Sequence, residues 1–152
     1  MAMHVSWVHG NALTVETAEH LALVGHFGWG ADMAIQPGKD SWFHFPLATP
    51  VIANDVRTNL QRVFLLFDSV SGSIRNVHVY DGSAKVQEFN DLFLQGEHRL
   101  ALDGQNTFNL AHPHTVVWGI GISFYFIASI GFDTTIPPAR LILGAAGGDF
   151  FI

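Results

Sequence analysis

The chain contains no cysteine, which excludes disulfide staples, thiolate ligands and a thiol nucleophile. Charge is scarce too: Asp, Glu, Lys and Arg make up 13% of the 152 residues, against about 25% in an average soluble protein. Seven Lys and Arg stand against thirteen Asp and Glu, for a net charge of −6. The basic residues form no cluster, so the concentrated positive surface that nucleic acid or an anionic membrane requires is absent. In the opening MAMHVSWVHG no basic stretch leads into an apolar one; no secretory signal is expected, and a cytoplasmic setting is the default. There is no G-x-S-x-G, and the glycines of VGHFGWGAD lack the Lys-Ser/Thr and following helix of a phosphate loop. On these grounds neither enzymatic activity nor a cofactor is expected.

Apolar and aromatic residues are plentiful. Hydrophobic residues reach 49%, with thirteen Phe and four Trp, enough for a substantial core in a single domain over residues 1–152. Between His114 and Asp133 lie eighteen residues without a formal charge, the length at which a membrane helix must be considered. Their order argues otherwise. Val116, Trp118, Ile120, Ile122, Phe124, Phe126, Ala128, Ile130 and Phe132 alternate with a light set of Gly119, Gly121, Ser123, Ser129 and Gly131, interrupted by Val117, Tyr125 and Ile127. A helix would scatter both sets around its circumference, whereas a strand sorts them onto two faces. The run therefore predicts one long strand, or two joined by a bend over 128–131, with its heavy face in a core. Its light face of Gly119, Gly121 and Ser123 admits close approach by another sheet or subunit, or lies beneath a large side chain of the same chain.

Turn signals recur at short intervals. Strands are expected over 4–9, 41–45, 61–68, 73–80, 84–89, 107–110 and 140–143, with shorter pieces over 92–95 and 98–102 and a loop over 47–59. Gly10-Asn11, Pro37-Gly38, Asp81-Gly82 and Asp103-Gly104 supply the turns. The VFLLF of 63–67 suits a strand buried on both faces, and the final Phe150, Phe151 and Ile152 should pack in a sheet or a subunit contact. Eight to eleven short strands at this spacing predict an all-β antiparallel β-sandwich of jelly-roll type, with a closed β-barrel as the alternative.

Candidate chemistry centres on nine histidines. His112-Pro113-His114 would present two rings on one face of a strand, with His44 or His78 as a third metal ligand. The intervening proline favours a loop, however, and histidines bonded to backbone groups are the commoner reading. A sugar site needs an aromatic face with hydrogen-bonding groups beside it. Trp29 with Asp32 offers one such set; His78 and Tyr80 with Asp81, and the next turn at Asp103 and Asn106, offer another. Against both, Asp-Gly is good turn chemistry and aromatic residues at strand ends close cores. A chain so poor in charge and rich in aromatics would expose much neutral surface as a monomer, and self-association would bury it. The leading expectation is thus a non-enzymatic, self-assembling structural or interaction protein forming a homo-oligomer. A lectin-like carbohydrate or small-ligand module is the alternative, and a histidine-based metal enzyme ranks third.

Four segments, W-V-H-G-N-A, W-F-H-F-P, I-R-N-V-H-V-Y-D-G and H-T-V-V-W-G-I-G-I-S, are similar to a group of short bacterial and fungal proteins of unassigned function. The resemblance extends over most of the chain. It implies a single-domain β protein and brings no catalytic residues with it.

Overall fold

The computed structural model describes residues 3–130 and 137–152. Among them the regular structure is almost entirely strand: β1 (Met3–His9), β2 (Thr14–Val15), β3 (Leu21–Phe27), β4 (Gly30–Ile35), β5 (Asp40–Pro46), β6 (Ile52–Ala53), β7 (Val56–Arg57), β8 (Asn59–Asp81), β9 (Ala84–Phe89), β10 (Leu94–His98), β11 (Thr107–Thr115), β12 (Ile120–Ala128) and β13 (Ala139–Phe151). Two single 3-10 turns, Gly10–Ala12 and Ala18–His20, are the exceptions. No helix among the described residues is long and apolar enough to cross a membrane. Half of the uncharged run is β12, buried at Ile120, Ile122, Phe124, Phe126 and Ala128 as the alternation predicts, whereas Trp118 and Ile130, outside the strand, are exposed rather than in the core. Gly131 and Phe132 lie outside the described residues.

Eleven strands form one antiparallel sheet, and β6 and β7 pair as a separate hairpin that replaces part of the loop expected over 47–59. The organising element is β8, 23 residues long. Its first half pairs with β13 on one side and with β10 and β11 on the other; its second half pairs with β12 and β9. The bend between the halves falls at Ser71, with φ 59°, and Gly72. A Cβ on Gly72 would meet the Phe126 ring at 2.3 Å, so the strand can approach β12 there only without a side chain. Strands expected over 61–68 and 73–80 are therefore one strand that changes direction.

Curling about this bend brings the inner faces together as a jelly-roll-like β-sandwich. Leu65, Phe67, Ile74 and Val77 of β8 share one apolar cluster with Met33, Phe43, Phe124, Leu141 and Phe150. Among the described residues the sheet path ends at β2 and β3, so edges remain and the barrel is not closed. Phe64, between core-facing Val63 and Leu65, stacks with Trp7 at 5.3 Å on the opposite face. That accounts for burial of VFLLF on both sides. The C-terminal residues form the central strand β13, flanked by β8, β4 and β1.

Candidate functional site

The second half of the sheet runs β2, β5, β12, β8, β9, and its register fixes what its outer face presents. Gly121, Ser123 and Tyr125 of β12 stand opposite Pro46, His44 and Trp42 of β5, and opposite Tyr80, His78 and Asn76 of β8. Beyond these, Thr14 of β2 faces His44, while Lys85 and Glu88 of β9 face Tyr80 and His78. Because side chains alternate along each strand, all of these share one face. Small residues in the middle strand and large ones on both neighbours leave a cleft of about 340 Å³. Trp42 and His44 wall one side, His78 and Tyr80 the other; Ser123 lines the cleft between them, with Glu16 and Lys85 also on its lining.

The walls are braced. The Trp42 ring lies 4.8 Å from the His78 ring and 5.5 Å from Tyr125, bridging the cleft at that end. His44 Nδ1 is 2.7 Å from the Ser123 hydroxyl, and its Nε2 is 3.2 Å from Glu16 Oε2. His78 Nε2 donates to Asn90 Oδ1 at 3.1 Å; Asn90 is fixed in turn by Asn76 and by Glu88, which pairs with Lys85. Tyr125 donates to Asp40. Burial and that bonded carboxylate push its phenol up to about 12, so it remains a donor. Ser123, His44 and Glu16 have the composition of a nucleophile relay. The backbone around Ser123, however, is committed to ladders on both sides, leaving no free pair of amides to receive an oxyanion.

Gly121 requires separate explanation. Among the described residues a Cβ built on it meets only the Phe45 carbonyl oxygen, at 3.9 Å, and its backbone is not left-handed. No contact or turn demands a glycine there.

Of the residues expected at a site, His78 and Tyr80 line this cleft, and His44 does so from the facing strand. Trp29 and Asp32 belong to the β3–β4 hairpin in the other half: Trp29 stacks on Phe27 at 5.3 Å and Asp32 pairs with Arg140. Asp81, only 3% exposed, turns away from the cleft. It accepts from His114 Nε2 and the Val117 amide at 2.8 Å each, and from the Trp118 and Gly119 amides at 2.8 and 3.0 Å. Burial acts to raise its pKa, but the His114 bond and the three amides outweigh it and hold the carboxyl at about 2. Asp103 and Asn106 clamp their own turn: Asp103 accepts from the Gln105 and Asn106 amides, and buried Asn106 donates to the His98 and Ala101 carbonyls. Asp103 also bonds His98 at 2.6 Å. Burial alone would lower the His98 pKa, but this carboxylate raises it.

The four-histidine metal set is not assembled. His114 is engaged by Asp81, His112 is exposed on β11, and no group of three His, Asp or Glu side chains among the described residues converges as metal ligands would. The expected loop at Pro113 is instead part of strand β11, whose register with β8 slips between Asn109 and His114. Among the described residues β11 pairs only with β8, and such an edge tolerates a proline. Trp42, Ser123, Glu16 and Lys85 were not anticipated. The signals for Trp42 and Ser123 were the W-F-H-F alternation of β5 and the light face of β12, which only the strand pairing brings together; Glu16 and Lys85 carried none.

A family model described as a family of unknown function (DUF6623) matches residues 1–140. The chain belongs to that family. No curated protein matches it. Among solved structures, the carbohydrate-binding module CBM36 in complex with calcium and xylotriose aligns over 93% of this chain and 97% of its own, with 12% identity and a TM-score of 0.40. TmCBM61 in complex with beta-1,4-galactotriose aligns over 95% of this chain and 86% of its own, with 12% identity and a TM-score of 0.41. Likeness at this level transfers neither a ligand nor a site to a member of DUF6623.

Proposed function

We propose that this protein is a lectin-like binding module that holds a carbohydrate ring in the cleft over Ser123, with Gly121 the next residue along the same face. The observation that carries the reading is Gly121. A glycine inside a strand costs roughly 0.5–1 kcal/mol relative to alanine, and this one has free space where a side chain would stand. What glycine keeps open there is the approach to the cleft beside Tyr80. Aromatic rings on both walls match the apolar C–H faces of a pyranose, while the imidazoles, Ser123 and the rim charges match its hydroxyls. At about 340 Å³ the cleft is at the small end of ligand sites, a size for one ring rather than a chain.

Calorimetric titration with neutral pyranoses tests this. Saturable binding should be lost in Trp42→Ala and in Gly121→Val, while Trp29→Ala retains it. Valine is a good strand former, so Gly121→Val should melt no lower than the parent, separating occlusion of the cleft from damage to the fold. Absence of sugar binding in the parent, or binding indifferent to both cleft substitutions, overturns the proposal.

A second reading, self-association, is favoured by β3. Among the described residues this strand pairs only with β4, carries no Lys, Arg, Asp, Glu or Pro over Leu21–Phe27, and exposes Leu23, Val24 and Phe27. Edges of that kind are templates for a second copy. Light scattering on a dilution series tests it: a constant dimer mass supports the reading, and a monomer at every concentration removes it.

A further inference from the structure

The cleft opens in one direction along β12. At the Tyr125 end it is bridged by Trp42 against His78. Toward the start of the strand no aromatic pair among the described residues crosses it: Gly121 is followed outward by Ile120 and by Gly119, above which a Cβ would meet none of the described residues within 4 Å. Just past this mouth stands Trp118, 76% exposed and the most exposed tryptophan among the described residues.

Its position is set by neighbours on both sides. The Gly82 amide donates to the Gly119 carbonyl at 2.8 Å, which extends the β8–β12 pairing one step beyond Tyr80 opposite Gly121. Gly82, with φ 59°, lies against the base of the Trp118 side chain; a Cβ on it would come within 3.0 to 3.2 Å of the tryptophan Cδ1, Cβ and Cγ. Asp81 binds the Val117, Trp118 and Gly119 amides together. Asp81 thus fixes the backbone that carries the indole, and the base of the side chain sits against Gly82, two residues past the cleft residue Tyr80. Two residues of strand span about 7 Å, on the scale of one further sugar ring.

We propose that Trp118 forms a second stacking subsite, so that the protein binds a glycan end-on, its terminal ring in the cleft and its next ring on the indole. The ligand class is then a neutral oligosaccharide of at least two pyranose residues, presented by a chain end because the far end of the cleft is bridged. This inference rests on the cleft being a carbohydrate site.

The test is calorimetric titration of the full chain with glucose, xylose, mannose and galactose and with the β-1,4-linked di- and trisaccharides of each. For the sugar that binds, the disaccharide should exceed the monosaccharide in affinity by about three- to tenfold, the contribution of one aromatic contact, and the trisaccharide should add little. In Trp118→Ala that ratio should fall toward one, and Trp118→Phe should restore much of it. A monosaccharide bound as tightly as its disaccharide, or a ratio unchanged in Trp118→Ala, overturns the second subsite and leaves the cleft standing. Failure of every sugar removes the cleft as a carbohydrate site and the second subsite with it.

Discussion

A single carboxylate shows how residue-scale chemistry shapes one end of the molecule. Asp81 is ionised, nearly inaccessible and bonded by four N–H groups. Its pKa falls from the ordinary 3.8 to about 2 on folding, so the unfolded chain binds this proton more readily than the folded one. Stability from this group is complete above about pH 4 and is lost as the pH falls toward 2, in total about 1–2 kcal/mol, since the solvated loop screens part of it. Urea unfolding at pH 7 and near pH 2.5 should show that loss, and Asp81→Asn should lower stability at pH 7 while removing this share of the acid dependence. An Asp81→Asn protein with the same stability and the same acid slope as the parent would contradict the assignment. The sequence showed Asp81-Gly82 as a turn and left open whether the carboxylate faced a ligand or the loop. Asp103 and Asn106 were ambiguous for the same reason, because a polar side chain at a turn satisfies either a guest or its own backbone. Only three-dimensional donors decide, and at both turns those donors are backbone amides.

At the scale of elements, period two in the uncharged run was sufficient to identify β12 and the face it buries. Where that strand begins was not legible, because the amides of Val117, Trp118 and Gly119 are taken by a carboxylate 36 to 38 positions earlier in the chain. β8 was divided for a related reason. Ser71-Gly72 carries the composition of a turn and Ser71 does take a left-handed φ, yet strand pairing continues on both sides of it, so the chain bends without ending the strand. Gly72→Ala should therefore cost about 1–3 kcal/mol through overpacking against Phe126, measurable as a lower urea midpoint. A neutral result would mean that β12 can withdraw there without penalty. The contrast with Gly121→Val tests the structural argument directly: two glycines in paired strands, one crowded by a ring and one open, should respond to a side chain with opposite signs.

At the scale of the whole molecule, composition alone pointed to unusual surface, and part of that surface is the edge strand β3. Leu23, 57% exposed, is the natural position to test. If two copies meet along this edge, Leu23→Lys should convert a dimer mass to a monomer mass by placing a charge in the contact. A dimer that survives this substitution uses another surface. The cleft was legible only in fragments: His44 and Ser123 are 79 positions apart, and no periodicity tells β5 to pair with β12. His78 and Tyr80 were found because they alternate on one strand, while the facing wall needed the register.

The continuity of β8 has a consequence for motion. A strand that serves both halves leaves the molecule without a seam along which one half could peel away. Breathing in either half must pass through the Ser71 bend into the other, so a guest seated beside Tyr80 would quiet amides as distant as those facing β10 and β11.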